Sequence, residues 1–148
     1  MFDHLGITVA DLERSRRFYG EVLGLRPWHE IQPPDAAVAK LSGLEPPLAT
    51  TAAYLVLGDF VLELIHDAAP GATAPAREPA RSLNEPGLTH LTFAVADVAA
   101  TVARAIAHGG QQASAVPGAV FIRDPDGQLL LLHPEAPEAA DGRPPRPR

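Results

Sequence analysis

The sequence predicts an α+β domain made of two consecutive βαβββ units, and three observations predict it. The octapeptide His4-Leu5-Gly6-Ile7-Thr8-Val9-Ala10-Asp11 returns as His90-Leu91-Thr92-Phe93-Ala94-Val95-Ala96-Asp97, identical at five of eight positions. Behind each copy the apolar residues take helical spacing and stop at glycine. After each predicted helix come three short β-prone segments separated by turn formers. A length of 148 residues, 46% apolar, suits one such domain and leaves no room for a second of full size.

In the first copy, alternation over residues 4–10 reads as a strand, with Asp11 as the N-cap of the helix that follows. Leu12, Tyr19, Val22 and Leu23 form that helix's apolar stripe, which ends at Gly24. Strands are expected over Leu25–Ile31, Thr50–Leu57 and Phe60–His66, the last two joined by a Gly58-Asp59 hairpin turn. Pro33 to Pro47 reads as an insertion holding a short helix near Asp35–Leu41. In the second copy Asp97 is the cap, and Val98, Val102, Ala105 and Ile106 are the stripe, ending at Gly109-Gly110. Strands follow over Gln111–Val116, Ala119–Ile122 and Gln128–His133, with Asp124-Pro125-Asp126-Gly127 as the turn. The predicted organisation is a domain over 1–133, with module 1 at 1–67, a Pro/Ala-rich linker at 68–86 and module 2 at 87–133. Residues 134–148, rich in Pro and Arg, are expected to be a disordered tail.

Composition removes several function classes. A net charge of −6, with no basic run except at the far C-terminus, argues against nucleic acid as a partner. No apolar run approaches the roughly 18 residues of a membrane span, and the start MFDHLG has neither a basic n-region nor an apolar h-region. A cytoplasmic protein that binds a small molecule is therefore expected. With no Cys, thiolate nucleophiles, disulfides and Cys-type zinc sites are excluded, and any metal must sit on His, Asp or Glu.

Alternation sorts the duplicated strands by face. Leu5, Ile7 and Val9, like Leu91, Phe93 and Val95, are expected to face the helices. The opposite faces carry His4, Gly6 and Thr8 in one copy and His90, Thr92 and Ala94 in the other, a His followed by small residues, which leaves room for a ligand. Two histidines at equivalent positions of a repeat can meet about a pseudo-twofold axis and share one metal ion. Glu63, inside the apolar run Phe60–His66, is either a ligand or a carboxylate on a solvated edge; burying it alone is costly. Trp28 and Tyr54, on strands expected to line a cavity, can stack on a planar substrate or pack in the core. His29, His66 and His108 read as rim or surface residues, with His66 facing away from Glu63.

The segments HLGITVADLERSRRFYGEVLGL, GDFVLEL, GLTHLTFAVADV and FIRDPDGQLLLL together resemble the glyoxalase/bleomycin-resistance family of the vicinal oxygen chelate superfamily, over residues 2 to about 133. The resemblance implies paired βαβββ modules forming an eight-stranded, U-shaped sheet with helices on its outer face, around a divalent metal (Fe, Mn, Ni, Co or Zn). It also implies a homodimer, with the site closed within one chain or across two. His4, His90 and Glu63 match metal ligands of the family, and Glu63 is also a candidate base. At the fourth position, where the family usually has Glu on the last strand, this chain has Leu131. His133, on the same strand face as Leu131 but about 6–7 Å along it, is a possible substitute.

The activity implied is that of a metal-dependent enzyme, a lyase, isomerase or Fe(II) dioxygenase, whose substrate chelates the ion through neighbouring oxygens. Leu131 favours the alternative of a metal-free protein that sequesters a drug or metabolite in the same cleft. Thr8, Trp28, Tyr54, Thr92, Leu131 and His133 are the candidate pocket residues.

Overall fold

The computed structural model describes residues 1–71, 83–84 and 86–135. Its elements are β1 (Leu5–Thr8), α1 (Leu12–Leu23), β2 (Arg26–Ile31), α2 (Asp35–Ser42), β3 (Thr50–Leu57), β4 (Phe60–Asp67), β5 (Leu91–Val95), α3 (Val98–Ala107), β6 (Gln111–Val116), β7 (Ala119–Arg123) and β8 (Leu129–Pro134). This is βαβββ twice, with α2 as the insertion. The eight strands form two four-stranded mixed sheets, ordered β1-β4-β3-β2 and β5-β8-β7-β6. In each sheet the first strand runs parallel to the fourth and the other pairs are antiparallel.

Both long helices start where a side chain can occupy free amides. Asp11 accepts from the Arg14 N–H at 2.9 Å, and Asp97 accepts from the Ala100 N–H at 2.9 Å. The hydrogen bond from the Arg14 backbone N–H holds the Asp11 carboxyl below its ordinary range. α1 ends at Gly24, whose φ of 76° suits a residue without Cβ. α3 is capped by His108 and leads into Gly109, also left-handed. α2 has no buried residue; it is tied down by Asp35, whose carboxylate accepts from the Leu48 and Ala49 amides.

The core lies on the helix-facing side of both sheets. Phe18, Tyr19, Leu62, Leu64, Ala105, Ile122, Leu130 and Leu132 are fully removed from water. Leu5, Ile7, Leu91 and Val95 pack against this core as their alternation requires. His66 also faces away from Glu63, its Nδ1 lying 3.1 Å from the Val9 carbonyl oxygen.

The modules are joined by α1. Phe60 and Phe93 meet edge to face at 6.1 Å, and Tyr19 donates from its hydroxyl to Asp124 in the β7–β8 turn at 2.8 Å. Asp126 of the same turn pairs with Arg14 and accepts from the Ala10 amide. The turn residues of module 2 are thus fastened to the first helix of module 1.

The strand bounds differ from expectation by a residue or two at their ends, and β2 and β6 each carry an internal register shift. β4, β7 and β8 each run one residue further than predicted, and the Glu135 amide donates to the Val95 carbonyl, so the expected tail begins as ordered chain. Residues 136–148 and most of the expected linker, 72–82 and 85, lie outside the described residues. Among those described, no helix is long and apolar enough to cross a membrane.

Candidate functional site

Register places the candidate residues. In module 1, Gly6 on β1 lies beside Glu63 on β4, and Glu63 lies beside Tyr54 on β3. A Cβ added at Gly6 would sit 3.0 Å from Glu63 Oε2, so the missing methyl makes room for the carboxylate. Glu63 is largely buried, with 14% of its side chain exposed, and it does not stand alone. The Tyr54 hydroxyl donates to Oε1 at 2.7 Å, and His4 Nε2 lies 3.2 Å from Oε2. That phenol, donating to Glu63, is pushed up to about 12 and remains a fixed donor through the physiological range.

His4, just before β1, is anchored at its other nitrogen, Nδ1 lying 2.6 Å from Asp3 Oδ2. The Asp3 hydrogen bond, reinforced by the Glu63 charge and opposed by partial burial, raises the imidazole above its usual value. With Nδ1–H donating to Asp3, Nε2 is the atom left to meet a proton or a metal ion beside Glu63.

Module 2 repeats the frame with different chemistry. Thr92 lies beside Leu131, and Leu131 beside Phe121, the same register as Gly6, Glu63 and Tyr54. His90 Nδ1 lies 2.9 Å from the hydroxyl of the preceding Thr89, as His4 Nδ1 does from Asp3. His90 meets Phe121 edge to face at 5.3 Å and 90°, and His4 meets Tyr54 at 5.4 Å and 88°. The pseudo-equivalence is therefore His4 with His90, Tyr54 with Phe121 and Glu63 with Leu131. One half is polar and acidic, the other apolar.

The structure brings His4, Glu63 and Tyr54 together, with Trp28 6.3 Å from the Tyr54 ring. It does not bring His90 to them: among the described residues no group of three or more His, Asp or Glu is placed to hold a metal ion. Within one chain the three-ligand set expected from the sequence is split into His4–Glu63 and His90. Thr8 ends β1, the strand that follows His4, two residues beyond Gly6, and is exposed. Thr92 lines a different cavity, of about 560 Å3, beside β5 and the β3–β4 turn. His133 lies opposite Ala94, its Nδ1 2.8 Å from the Pro134 carbonyl oxygen.

Three neighbours were not assigned to the site from the sequence: Asp3, which orients His4; His29, read as a rim or surface residue and stacked on Tyr54 at 6.0 Å; and Phe121. A hydrogen-bonding residue immediately before each repeated His was a readable signal for the first. The second needed the irregular backbone of β2, described below.

Comparison with known proteins agrees with this frame. Residues 3–124 match the family model described as the Glyoxalase/Bleomycin resistance protein/Dioxygenase superfamily. No curated protein matches the sequence. Among solved structures, a glyoxalase family protein from Bacillus cereus superposes with a TM-score of 0.75 at 23% identity, covering 92% of this chain and 94% of its own. The trypanothione-dependent glyoxalase I of Leishmania major has a TM-score of 0.63 at 24% identity, covering 90% and 86%. A mutant of the fosfomycin resistance protein FosX from Listeria monocytogenes, complexed with Mn(II) and 1S,2S-dihydroxypropylphosphonic acid, has a TM-score of 0.60 at 14% identity, covering 93% and 94%. The duplicated βαβββ frame and the family match agree, and the chain belongs to the Glyoxalase/Bleomycin resistance protein/Dioxygenase superfamily.

Proposed function

We propose that this chain is a metal-dependent enzyme acting on a small molecule that presents two neighbouring oxygens. The observation that carries the reading is the pair His4 Nε2 and Glu63 Oε2, 3.2 Å apart, with the far atoms of both side chains already engaged by Asp3 and Tyr54. Two ligands each about 2.0–2.2 Å from one ion stand roughly 3–3.5 Å apart, so the donor spacing fits a divalent metal. A His and a carboxylate, each oriented by an outer partner, are also the donor types that Fe, Mn, Ni, Co and Zn accept.

The third ligand is His90 of the partner subunit. Among the described residues β1 and β5 each have a single neighbour in their sheets, and each begins immediately after its histidine. A homodimer that sets β1 of one protomer against β5 of its partner satisfies both edges and faces the polar half-site with the apolar one. When bound, the ion supplies Lewis-acid stabilisation of negative charge developing on the substrate oxygens. Tyr54 holds Oε1 of Glu63, so the carboxylate presents Oε2 alone, to ligate or to accept a proton. Phe121 and Leu131 offer the substrate an apolar wall and no second base, so a proton exchanged in the cleft passes through Glu63.

Metal analysis of the purified full chain after exposure to a panel of Fe, Mn, Ni, Co and Zn tests this reading. One ion per chain, lost in His4→Ala, Glu63→Ala and His90→Ala, is the expected result. Retention of no ion in any preparation overturns it. That outcome favours the second reading, sequestration of a ligand by a metal-free cleft, for which Leu131 set between Thr92 and Phe121 is the supporting observation.

A further inference from the structure

Module 1 carries a ring-lined recess that ion binding does not use. β2 is the outer strand of its sheet and every residue in it is exposed, yet it holds the chain's single Trp. Trp28 is 66% exposed and Ile31, on the same strand, 40%, so the indole contributes little to the core. Regular alternation would send Trp28 and His29 to opposite faces. The register shift between Pro27 and His29 breaks that alternation, as a bulge does, and both rings approach Tyr54. His29 stacks on the phenol at 6.0 Å with 29° between planes, while Trp28 stands across it at 6.3 Å and 82°. With Asp3, His4 and Ile31 these rings line a cavity of about 300 Å3 on the side of the sheet that carries Glu63.

Module 2 is an internal control. β6 has a register shift at the equivalent place, between Gln112 and Ser114, but carries Ala113 and Ser114 where module 1 has Trp28 and His29. The bulged strand therefore forms without rings, and the rings occur only beside the polar half-site. We propose that Trp28, His29 and Tyr54 form a subsite for a planar ring of the ligand that carries no negative charge, adjacent to the His4–Glu63 pair. Aromatic faces offer a planar group offset or edge-on stacking. The fixed negative charge lining the recess is Asp3, with Glu63 close behind, so an anionic ring is disfavoured. The inference rests on the proposed function for where the ligand's oxygens lie, but the stacking itself does not.

The single Trp makes the test direct. The full chain is titrated with 4-nitroanisole, a planar quencher without adjacent oxygen donors, while indole emission is followed; Mn(II) binding is measured separately on the same protein by electron paramagnetic resonance. Saturable quenching is expected, with at least fivefold weaker binding in His29→Ser, which installs the residue module 2 carries at this position and whose folding is checked by circular dichroism. Saturable quenching without Mn(II) binding supports the subsite while removing the metal-dependent reading. Mn(II) binding with linear quenching, equal to that of free N-acetyltryptophanamide, overturns the subsite and leaves that reading standing. An unchanged affinity in folded His29→Ser overturns it as well.

Discussion

Glu63 has only 14% of its side chain exposed, and a lone carboxylate there would carry a large desolvation cost. Tyr54 and His4 offset it by engaging one oxygen each. Tyr54→Phe removes the donor to Oε1 while keeping the ring that packs against His4 and His29. If Glu63 is a metal ligand, the variant is expected to bind Mn(II) about tenfold more weakly, the usual scale for loss of an outer-shell partner. Isothermal titration checks it, and unchanged affinity would mean that Tyr54 does not orient the ligand. Gly6→Ala acts on the other oxygen: its Cβ, 3.0 Å from Oε2, displaces the carboxylate and is expected to weaken Mn(II) binding in a chain that remains folded.

At the scale of the element, the two helices are set by the same local device, an Asp that has finished the strand and caps the turn that follows. Asp11→Ala and Asp97→Ala are each expected to lower stability by about 1 kcal/mol, read from urea midpoints. The effects should be additive to within a few tenths, because the caps share no partner. These caps were legible in the sequence because they depend on residues three apart in the chain. Most strand boundaries were legible for the same reason, being written in alternation and in turn residues. The bulge in β2 was not. Pro27, which cannot donate to a strand ladder, permits an irregularity there, but the shift itself exists only against the register of β3. Trp28, expected either to stack in a cavity or to pack in the core, and His29, read as a rim or surface residue, both stand exposed around Tyr54 as a result.

Across the whole molecule the modules hold together through α1 and the β7–β8 turn. Tyr19 is fully buried, and burial, then the charge of Asp124 that it contacts, pushes its phenol well above the ordinary value of 10.0. Tyr54 is raised as well, and these are the chain's only two tyrosines. Both folded-state values exceed the unfolded value, so the native state holds more protons than the unfolded chain above pH 10. Their contribution to stability is full below that point and is lost as pH rises through the folded values. The folded chain is accordingly expected to show no tyrosinate absorbance step near pH 10, and its denaturant midpoint should fall from there upward. Tyr19→Phe should cost about 1.5–3 kcal/mol at neutral pH, the scale of a hydrogen bond to a charged group, and should flatten that alkaline fall. Gly110 marks the same junction. A Cβ there would lie 2.6 Å from the Arg123 carbonyl oxygen and 2.8 Å from the Phe18 ring, so Gly110→Ala is expected to destabilise the fold by more than about 2 kcal/mol in thermal unfolding.

The sequence by itself determined the duplication and the order of the elements, because each is carried by periodicity or by spacing within a repeat. It also marked His4 and His90 as equivalent, and both occupy the same place in their sheets. Tertiary structure alone decided which of these residues meet. His4 reaches Glu63 because β1 lies parallel to β4, a pairing across more than fifty residues, and Gly6 leaves the carboxylate space. His90 is held away because the helices of the two modules pack against each other and leave each His-bearing face turned from the shared core. Spacing along a chain specifies which side of a strand a residue occupies. It does not specify which sheet that side will face, since that depends on how two buried surfaces, distant in sequence, fit together.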